Sequence, residues 1–525
     1  MNTAAVRATP VQALAGKWLV SISVSLGTLL ATFSSSMLNI ALPHLRGSLG
    51  ASLQEATWVI ASFAMANICV MPLTGFLSRR FGQKQVYILA LCVFLVSSFL
   101  CGMTRSMPLL IVFRAFQGMG AGALLPTEQA LLQQQFPSSQ QGIAIAIASM
   151  TALMGPAAGP ILGGLIVDYM SWPWVFLVNL PIGVLGLVMV IFFVKVPNEA
   201  REKPLAPGTV QRLDGWGLLL LPLSLSSMQF LLMEGTRWGW TEPGTVALAL
   251  GVALGLLMFV FWEITTHAPI VRLSLFSEPR FFIGTALAAV LYSMLNASQY
   301  LFPLFMQEVL GFTATQAALA LVSRVVVSAV ATPLLGRFHN VLPPHVVLAV
   351  GTLAFAYSCI QMSAFTLETE ASHIAGVVAV QGLGFSGIGV TLTTLTLSRT
   401  PMNQKVDASS LHTLAKHTGG SLGLTFFAAY LTRDVGMARM ALVPQVVEGS
   451  LPLREYLQTR SVQLLVAGME PERIRAVALE TLEQLLERQA SLLAFGKLFL
   501  LLGALFLAAV PLTFLLRSRK VAPQG

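Results

Sequence analysis

Gly155-Pro156-Ala157-Ala158-Gly159-Pro160-Ile161-Leu162-Gly163-Gly164 lies in the middle of an uncharged apolar run covering residues 142–167. Gly155, Gly159 and Gly163 recur every fourth residue, so they share one helix face and let a neighbouring helix approach closely. Pro156 and Pro160 each remove a backbone donor and bend the helix. Water would unravel such a helix, whereas in a bilayer the packed neighbours re-satisfy the freed backbone groups and bent spans persist. The run also exceeds the roughly 17–25 residues needed to cross a membrane. A bent, glycine-faced helix of this kind is a candidate gate, with a simply packed kink as the plain alternative.

The rest of the chain has the same character. Its 525 residues are 55% hydrophobic and 10% charged, with mean hydropathy +0.76, against roughly 25% charged residues in soluble proteins. Apolar runs fall near 18–42, 56–78, 85–103, 107–132, 142–167, 173–195, 216–233, 245–262, 281–306, 314–335, 345–366, 372–397, 408–431 and 492–516. These predict an all-α polytopic membrane protein with 14 transmembrane helices. The net charge of +9 sits in short segments between the runs, without a basic stripe interleaved with aromatics. That argues against nucleic acid and for anionic lipid headgroups. Cys69, Cys92, Cys101 and Cys359 all lie in apolar runs without CxxC spacing, so neither a disulfide framework nor a metal site is expected. The apolar run after Lys17 reaches about Leu42, too long for the core of a cleavable signal.

Charge between the runs sets the orientation. With the N-terminus in the cytoplasm, inner segments hold 17 lysines and arginines, from Arg7 and Lys17 to Arg519 and Lys520, while the short outer loops hold 3, Arg46, Arg105 and Arg237. By the positive-inside rule both termini are expected to be cytoplasmic. The chain then divides into a cytoplasmic N-terminus (1–17), a six-helix bundle (18–195), cytoplasmic linkers with two inserted helices (196–280), a second six-helix bundle (281–516) that includes an extracytoplasmic loop (432–491), and a cytoplasmic tail (517–525).

A faint duplication supports this division. Leu49-Gly50 with Ser52 and Ala56 is repeated as Leu310-Gly311 with Thr313 and Ala317, and Pro72-Leu73 with Gly75 as Pro333-Leu334 with Gly336, both at an offset of 261. Gln117-Gly118 with Gly120 is repeated as Gln381-Gly382 with Gly384 at an offset of 264. Parallel six-helix repeats are a transporter architecture in which substrate binds between the repeats near the midplane. Chance similarity between Leu/Gly-rich spans is the alternative.

Further motifs carry mechanism. Span 2 runs into a tight basic turn with Gly75, Arg79, Arg80, Gly82 and Lys84, which also serves as a positive-inside anchor. Span 4 holds Arg114, Gln117, Gly118 and Gly120, and an intramembrane arginine is costly and normally functional. Trp172, Trp174 and Phe176 precede Asn179, Pro181 and Gly183 at an interface position.

Together these residues resemble the major facilitator superfamily, and the six-two-six span count with the glycine–proline run resembles its fourteen-helix drug:proton antiporter branch, the EmrB/QacA type. Asn39-Ile40-Ala41-Leu42-Pro43, Leu213-Asp214 with Gly217, and Arg488-Gln489-Ala490 extend the resemblance over nearly the whole chain. It implies alternating access, export of lipophilic compounds and coupling to proton entry. The chain departs from the branch where acids are usual: Ser34 stands at the acid position of span 1, Arg79 at that of the basic turn, and Lys497 at that of the last span. On the 264 offset Arg114 faces Val378 in the second half, so span 4's charge has no partner there.

Glu128 is the unusual acid. It follows Arg114 by about 21 Å along the helix at ~1.5 Å per residue, towards the cytoplasmic end. A salt bridge to Arg79 or Arg80 that latches a gate is one expectation, and a proton-carrier role another. Arg324, His412, Lys416 and His417 also lie in or near spans. His412 and His417 are coupling candidates because histidine titrates near neutral pH, with plain polar helix contacts as the alternative. Candidate path residues are Ser34, Ser36, Asn39, Arg114 and Gln117, between spans 1, 4, 5, 9 and 13. Candidate gate and coupling residues are Arg79, Arg80, Arg114, Glu128, His412, Lys416 and His417. The gating helix is that of Gly155, Pro156, Gly159, Pro160, Gly163 and Gly164.

Residues 472–489 place Ile474, Val477, Leu482, Leu485 and Leu486 at helical spacing among charges, predicting an amphipathic helix that runs into the last span. By resemblance to tripartite pumps it docks a periplasmic adaptor that leads to an outer-membrane channel; capping of the outer mouth is the alternative. Gly118, Gly120 and Gly122 lie inside a span, so they are no dinucleotide fingerprint, and no Walker motif is present. The expected partners are therefore a lipophilic substrate, protons and the lipid bilayer, with no cofactor and no enzymatic chemistry. A dedicated exporter of one lipid, siderophore or metabolite, and a transport-deficient membrane sensor or assembly protein, are the competing readings.

Overall fold

A computed structural model describes residues 10–71, 73–135, 155, 158–194, 214–266, 273–337, 343–398, 400, 405–446, 451–466 and 471–516. Among these, all regular structure is helical. The first half comprises α1 (Pro10–Leu49), α2 (Leu53–Val70), α3 (Leu73–Phe81), α4 (Gln83–Met103), α5 (Met107–Gln135), α6 (Ala158–Tyr169), α7 (Trp174–Leu177) and α8 (Asn179–Phe193). Two helices follow, α9 (Gly215–Trp238) and α10 (Pro243–Thr265). The second half comprises α11 (Pro279–Glu308), α12 (Ala314–Arg337), α13 (Pro344–Ser363), α14 (Ala371–Leu397), α15 (Lys405–Leu442), α16 (Leu451–Val466) and α17 (Pro471–Leu515).

Twelve helices among the described residues are long and apolar enough to cross a membrane. The other two expected spans differ for separate reasons. Of the fifth, only Gly155 and α6 fall within the described residues, and Pro156 lies outside them. The thirteenth is part of α15, whose 38 residues suffice for a crossing but whose polar residues, His412, Lys416 and His417 among them, make it less apolar than its neighbours. The second span is not one helix. Helix α2 ends at Val70, capped at Met71, so the basic turn sits on the separate helix α3; Pro72 lies outside the described residues.

The duplication is visible in the backbone. Gly50 and Gly311 both adopt positive φ, 61° and 74°, a conformation that strongly favours glycine. Each is followed by a reciprocal cap. Ser52 and Glu55 form a capping box on α2, and the Thr313 hydroxyl accepts from the Gln316 N–H at 3.2 Å while the Gln316 side chain accepts from the Thr313 N–H at 3.0 Å. Packing repeats too: α5 lies between α2 and α4 as α14 lies between α12 and α13, and α1 packs on α8 as α11 does on α17. Without a hydrophobic force between helices in lipid, close packing and polar contacts must hold these pairs.

Helix α9 lies between α2 of the first half and α15 of the second, and α10 packs on α9. Gln229 of α9 donates to Thr425 at 3.0 Å and accepts from Ser421 at 2.9 Å, both on α15. Trp58 of α2 donates to Glu234 of α9 at 3.0 Å. The expected amphipathic segment and the last span form one continuous 45-residue helix, α17. Arg439 at the far end of α15 pairs with Glu483 of α17 at 2.7 Å.

Candidate functional site

Arg114 is fully buried in the first half. Its Nε donates to the Val59 carbonyl at 3.1 Å, and its Nη1 to Gln117 Oε1 at 2.6 Å and Ser34 Oγ at 3.5 Å. The guanidinium stacks 4.1 Å from the Phe63 ring centroid. Gln117 and Asn179 both donate to Ser98 Oγ, at 2.9 and 3.1 Å, and the Ser98 hydroxyl donates to the Phe176 carbonyl at 2.9 Å. Nη2 of Arg114 has no partner. The network ties α1, α2, α4, α5, α7 and α8 together. Of the expected path residues, Ser34, Arg114 and Gln117 are thus enclosed within the first half in this conformation, and only Ser36 and Asn39 are half-buried. A guanidinium desolvated by lipid must satisfy its donors inward, which draws its partners away from any open surface.

The second half corrects the expectation that Arg114 has no counterpart. Gly118 packs against the backbone carbonyl of Phe63, and Gly382 against that of Arg324. Gly118 and Gly382 are offset by 264, and Phe63 and Arg324 by 261, the two offsets of the duplication. Arg324 therefore stands where the first half has Phe63, and Val378 where it has Arg114. The same helix crossing holds a buried guanidinium in both halves, supplied by opposite partners. Nη1 of Arg324 also has no partner.

The glycine face behaves likewise. A side chain on Gly155, Gly159 or Gly163 would collide with Thr32, Ser36 or Met37 of α1. Gly164, one residue round the helix, instead abuts the backbone of Ala314 and Thr315 at the start of α12. In the second half, Gly419 and Gly423 of α15 press on Ala289 and Ser293 of α11. They lie at the 264 offset from Gly155 and Gly159, so the same glycine spacing is present in the sequence of the second half, there without prolines.

Glu128 is fully buried and accepts from Ser25 of α1 at 2.7 Å. The expected bridge to Arg80 is not made: Arg80 is exposed at the end of α3, its guanidinium 5.8 Å from the Phe81 ring centroid. With α2 ending at Val70, this arginine sits on a short separate helix. The Arg79 side chain lies outside the described residues. His412 is buried with Nε2 at 3.3 Å from Thr393 Oγ1, and Lys416 Nζ lies 5.2 Å from the Tyr292 ring centroid. Lys497, at the usual acid position of the last span, pairs at 3.6 Å with buried Asp434 of α15, so the acid at this place comes from the neighbouring helix.

The halves are joined at one end, marked by Arg46. Arg46 of α1 pairs with Glu308 of α11 at 2.7 Å. Thr57 of α2 shares a 2.9 Å hydrogen bond with Tyr300 of α11. The Thr315 N–H donates to Asp168 of α6 at 2.7 Å. One apolar cluster runs through this end, from Leu38, Leu42 and Leu45 to Leu295, Leu301 and Phe302. Towards the other end the first half has a core of its own around Tyr87, Leu124 and Leu131. Asp168 lies one residue beyond the expected span. Its partial burial raises its pKa, but the donors on Thr315, Ala314 and Thr313 outweigh that and hold it below the ordinary carboxylate value. It therefore stays ionised at neutral pH.

Two helical repeats with paired buried guanidiniums, glycine-faced crossings in each half and a polar seam between halves define a multi-pass membrane transporter. The family model of the major facilitator superfamily matches residues 24–424, and the chain belongs to that family. It is 31% identical over 499 residues to the multidrug export protein EmrB of Escherichia coli (strain K12), covering 94% of each chain. It is 34% identical over 417 residues to EmrB of Haemophilus influenzae, covering 78% of this chain and 80% of that one. Among solved structures, a bacterial homolog of the human lysosomal transporter Spinster, inward-facing and occupied, aligns with a TM-score of 0.59 at 17% identity over 96% of this chain and 98% of that chain.

Proposed function

We propose that this protein is a secondary transporter that exports lipophilic and amphipathic compounds across the cell (inner) membrane, exchanging them for protons by alternating access. Both termini lie in the cytoplasm, so the Arg46 end is extracytoplasmic and the conformation described is the one that loads substrate from inside. The observation that carries this reading is the pair of glycine-faced crossings, α6 on α1 and α15 on α11, at equivalent places on either side of the seam. With no side chain on the glycine face of α6 or α15, each crossing can shift within its own half as the two halves rock. The names of the EmrB relatives supply the direction and the substrate class. The extension of α15, with α16 and the first half of α17, is the part available to a periplasmic adaptor and its outer-membrane channel.

Proton coupling rests on Glu128, whose carboxylate is fully buried beside Ser25 and Tyr87. One charge moving through about 100 mV is worth about 2.3 kcal/mol, enough for roughly a 50-fold gradient per proton. The test is reconstitution into liposomes under an imposed pH gradient, with lipophilic cations, anions and neutral compounds. Glu128→Gln keeps the bond to Ser25 but carries no proton. It should leave downhill substrate flux within about threefold while gradient-driven accumulation disappears. Accumulation that survives in this variant would remove Glu128 as the proton carrier.

A further inference from the structure

The Arg488-Gln489-Ala490 motif falls where α17 enters the second half, and transport as described so far leaves it unused. Arg488 Nε donates to the Val309 carbonyl at 2.5 Å. Val309 caps the C-terminus of α11, where the last carbonyls lack helical donors and a cation is favoured. The same guanidinium lies against Gly311, where a Cβ would stand 3.2 Å from Nη2. Arg488 therefore grips the turn that joins α11 to α12.

That turn carries two of the seam's polar contacts. Glu308, the residue before Val309, pairs with Arg46. Ala314 and Thr315, just after the turn, meet Gly164 and Asp168 of α6. The repeat itself does not require the arginine. Gly50 makes the corresponding turn in the first half with a similar positive φ, and the space a Cβ would fill there is open among the described residues, where Gly311 has Arg488. On its other side Arg488 belongs to an arm. At ~1.5 Å per residue α17 is about 67 Å long, over twice the ~30 Å hydrocarbon core, so its first half stands outside the bilayer with α16 and the end of α15. Ala438 of α15, Leu453 of α16, and Ile474 and Ala478 of α17 are buried there, and Arg439 of α15 pairs with Glu483 of α17. A displacement of this arm reaches Arg488 along one continuous helix.

We propose that Arg488 is the positioning residue of the outer gate: it fixes the α11–α12 turn for closure, so a partner protein that displaces the arm loosens the seam. This rests on the transport reading above and adds a route for its regulation. The test measures distances by electron paramagnetic resonance on the full-length protein in nanodiscs. Its four cysteines are replaced by serine, and spin labels are attached at Gly47→Cys and Ala371→Cys. Both positions are exposed at the Arg46 end, one in each half. Arg488→Met should raise the ratio of long to short distances at least about fivefold, and Arg488→Lys, which keeps a donor for Val309, less than about twofold. Ala478→Leu overpacks the arm about 15 Å along the helix from Arg488. It should raise the ratio at least about threefold, but less than about 1.5-fold when Arg488→Met is already present. An unchanged ratio in Arg488→Met, even with a lower melting temperature, would make Arg488 a plain helix cap and overturn the proposal. Effects of the two substitutions that simply multiply would do the same. Ala478→Leu leaves the Arg488 contact intact, so an unchanged ratio there overturns the proposal even where Arg488→Met does not fold. Liposome flux separates the two readings. Distances that respond in a protein that moves no compound leave the gate control standing and remove transport. Transport with distances that neither substitution shifts leaves transport standing and removes the role of Arg488.

Discussion

At the scale of the residue, Arg114 shows why a lysine cannot replace an arginine. Its planar fork reaches Val59, Gln117 and Ser34 at once while its face lies on Phe63. A lysine offers one point charge and no stacking plane. Arg114→Lys should therefore lose at least about tenfold in initial transport rate, and Arg114→Ala more. Each buried acceptor left bare should cost about 1–3 kcal/mol. Thermal melting beside flux checks this, and a lysine variant with unchanged flux would show that charge alone suffices. Arg114, Gln117 and Glu128 were legible in the sequence as polar residues in apolar spans. Arg324's equivalence to Phe63 was not, because register comparison pairs each residue with its own counterpart. Here the two members of one contact have exchanged helices, and only the crossing itself reveals it.

At the scale of the element, the sequence read helices well and their ends poorly. Hydropathy measures length and apolarity, so it located the spans but passed through the end of α2 at Val70, and it gave no sign that α15 continues to Leu442. The amphipathic spacing over 472–489 did announce α17 as one helix, since periodicity persists across the change from water to lipid. Glycine spacing identified α6 but not α15. The structure makes the two equivalent, which sets an expectation for both. Gly159→Leu drives a side chain into Ser36, and Gly423→Leu drives one into Ser293. Both should reduce transport by at least about tenfold, whereas Gly376→Leu on α14, with open space around it, should stay within about twofold in the same flux assay. If Gly423→Leu transports normally while Gly159→Leu does not, only the first half slides.

At the scale of the whole molecule, the halves touch firmly at the Arg46 end, and alternating access requires that contact to be strong enough to seal and weak enough to open. Its parts fit that demand. The Arg46–Glu308 pair is 32% and 20% exposed, so it contributes only about 1 kcal/mol. The Asp168 contact and the Thr57–Tyr300 bond are single hydrogen bonds of similar worth. Helix α9, bonded to both α2 and α15, adds a flank that must shift as the halves rock. Breaking the ion pair should then move the population rather than unfold the protein: a change of about 1.4 kcal/mol is tenfold in an equilibrium. Cysteines placed at 46 and 308, after replacement of Cys69, Cys92, Cys101 and Cys359, should crosslink readily without a gradient and several-fold more slowly under conditions that drive export. Arg46→Glu should make a cysteine on α12 near the seam, at Thr315, more reactive to a water-soluble thiol reagent added outside. Adding Glu308→Arg should return it towards the native rate. If the double exchange is no slower than the single one, the pair does not hold the seam, and the apolar cluster around Leu42 and Phe302 alone closes this end.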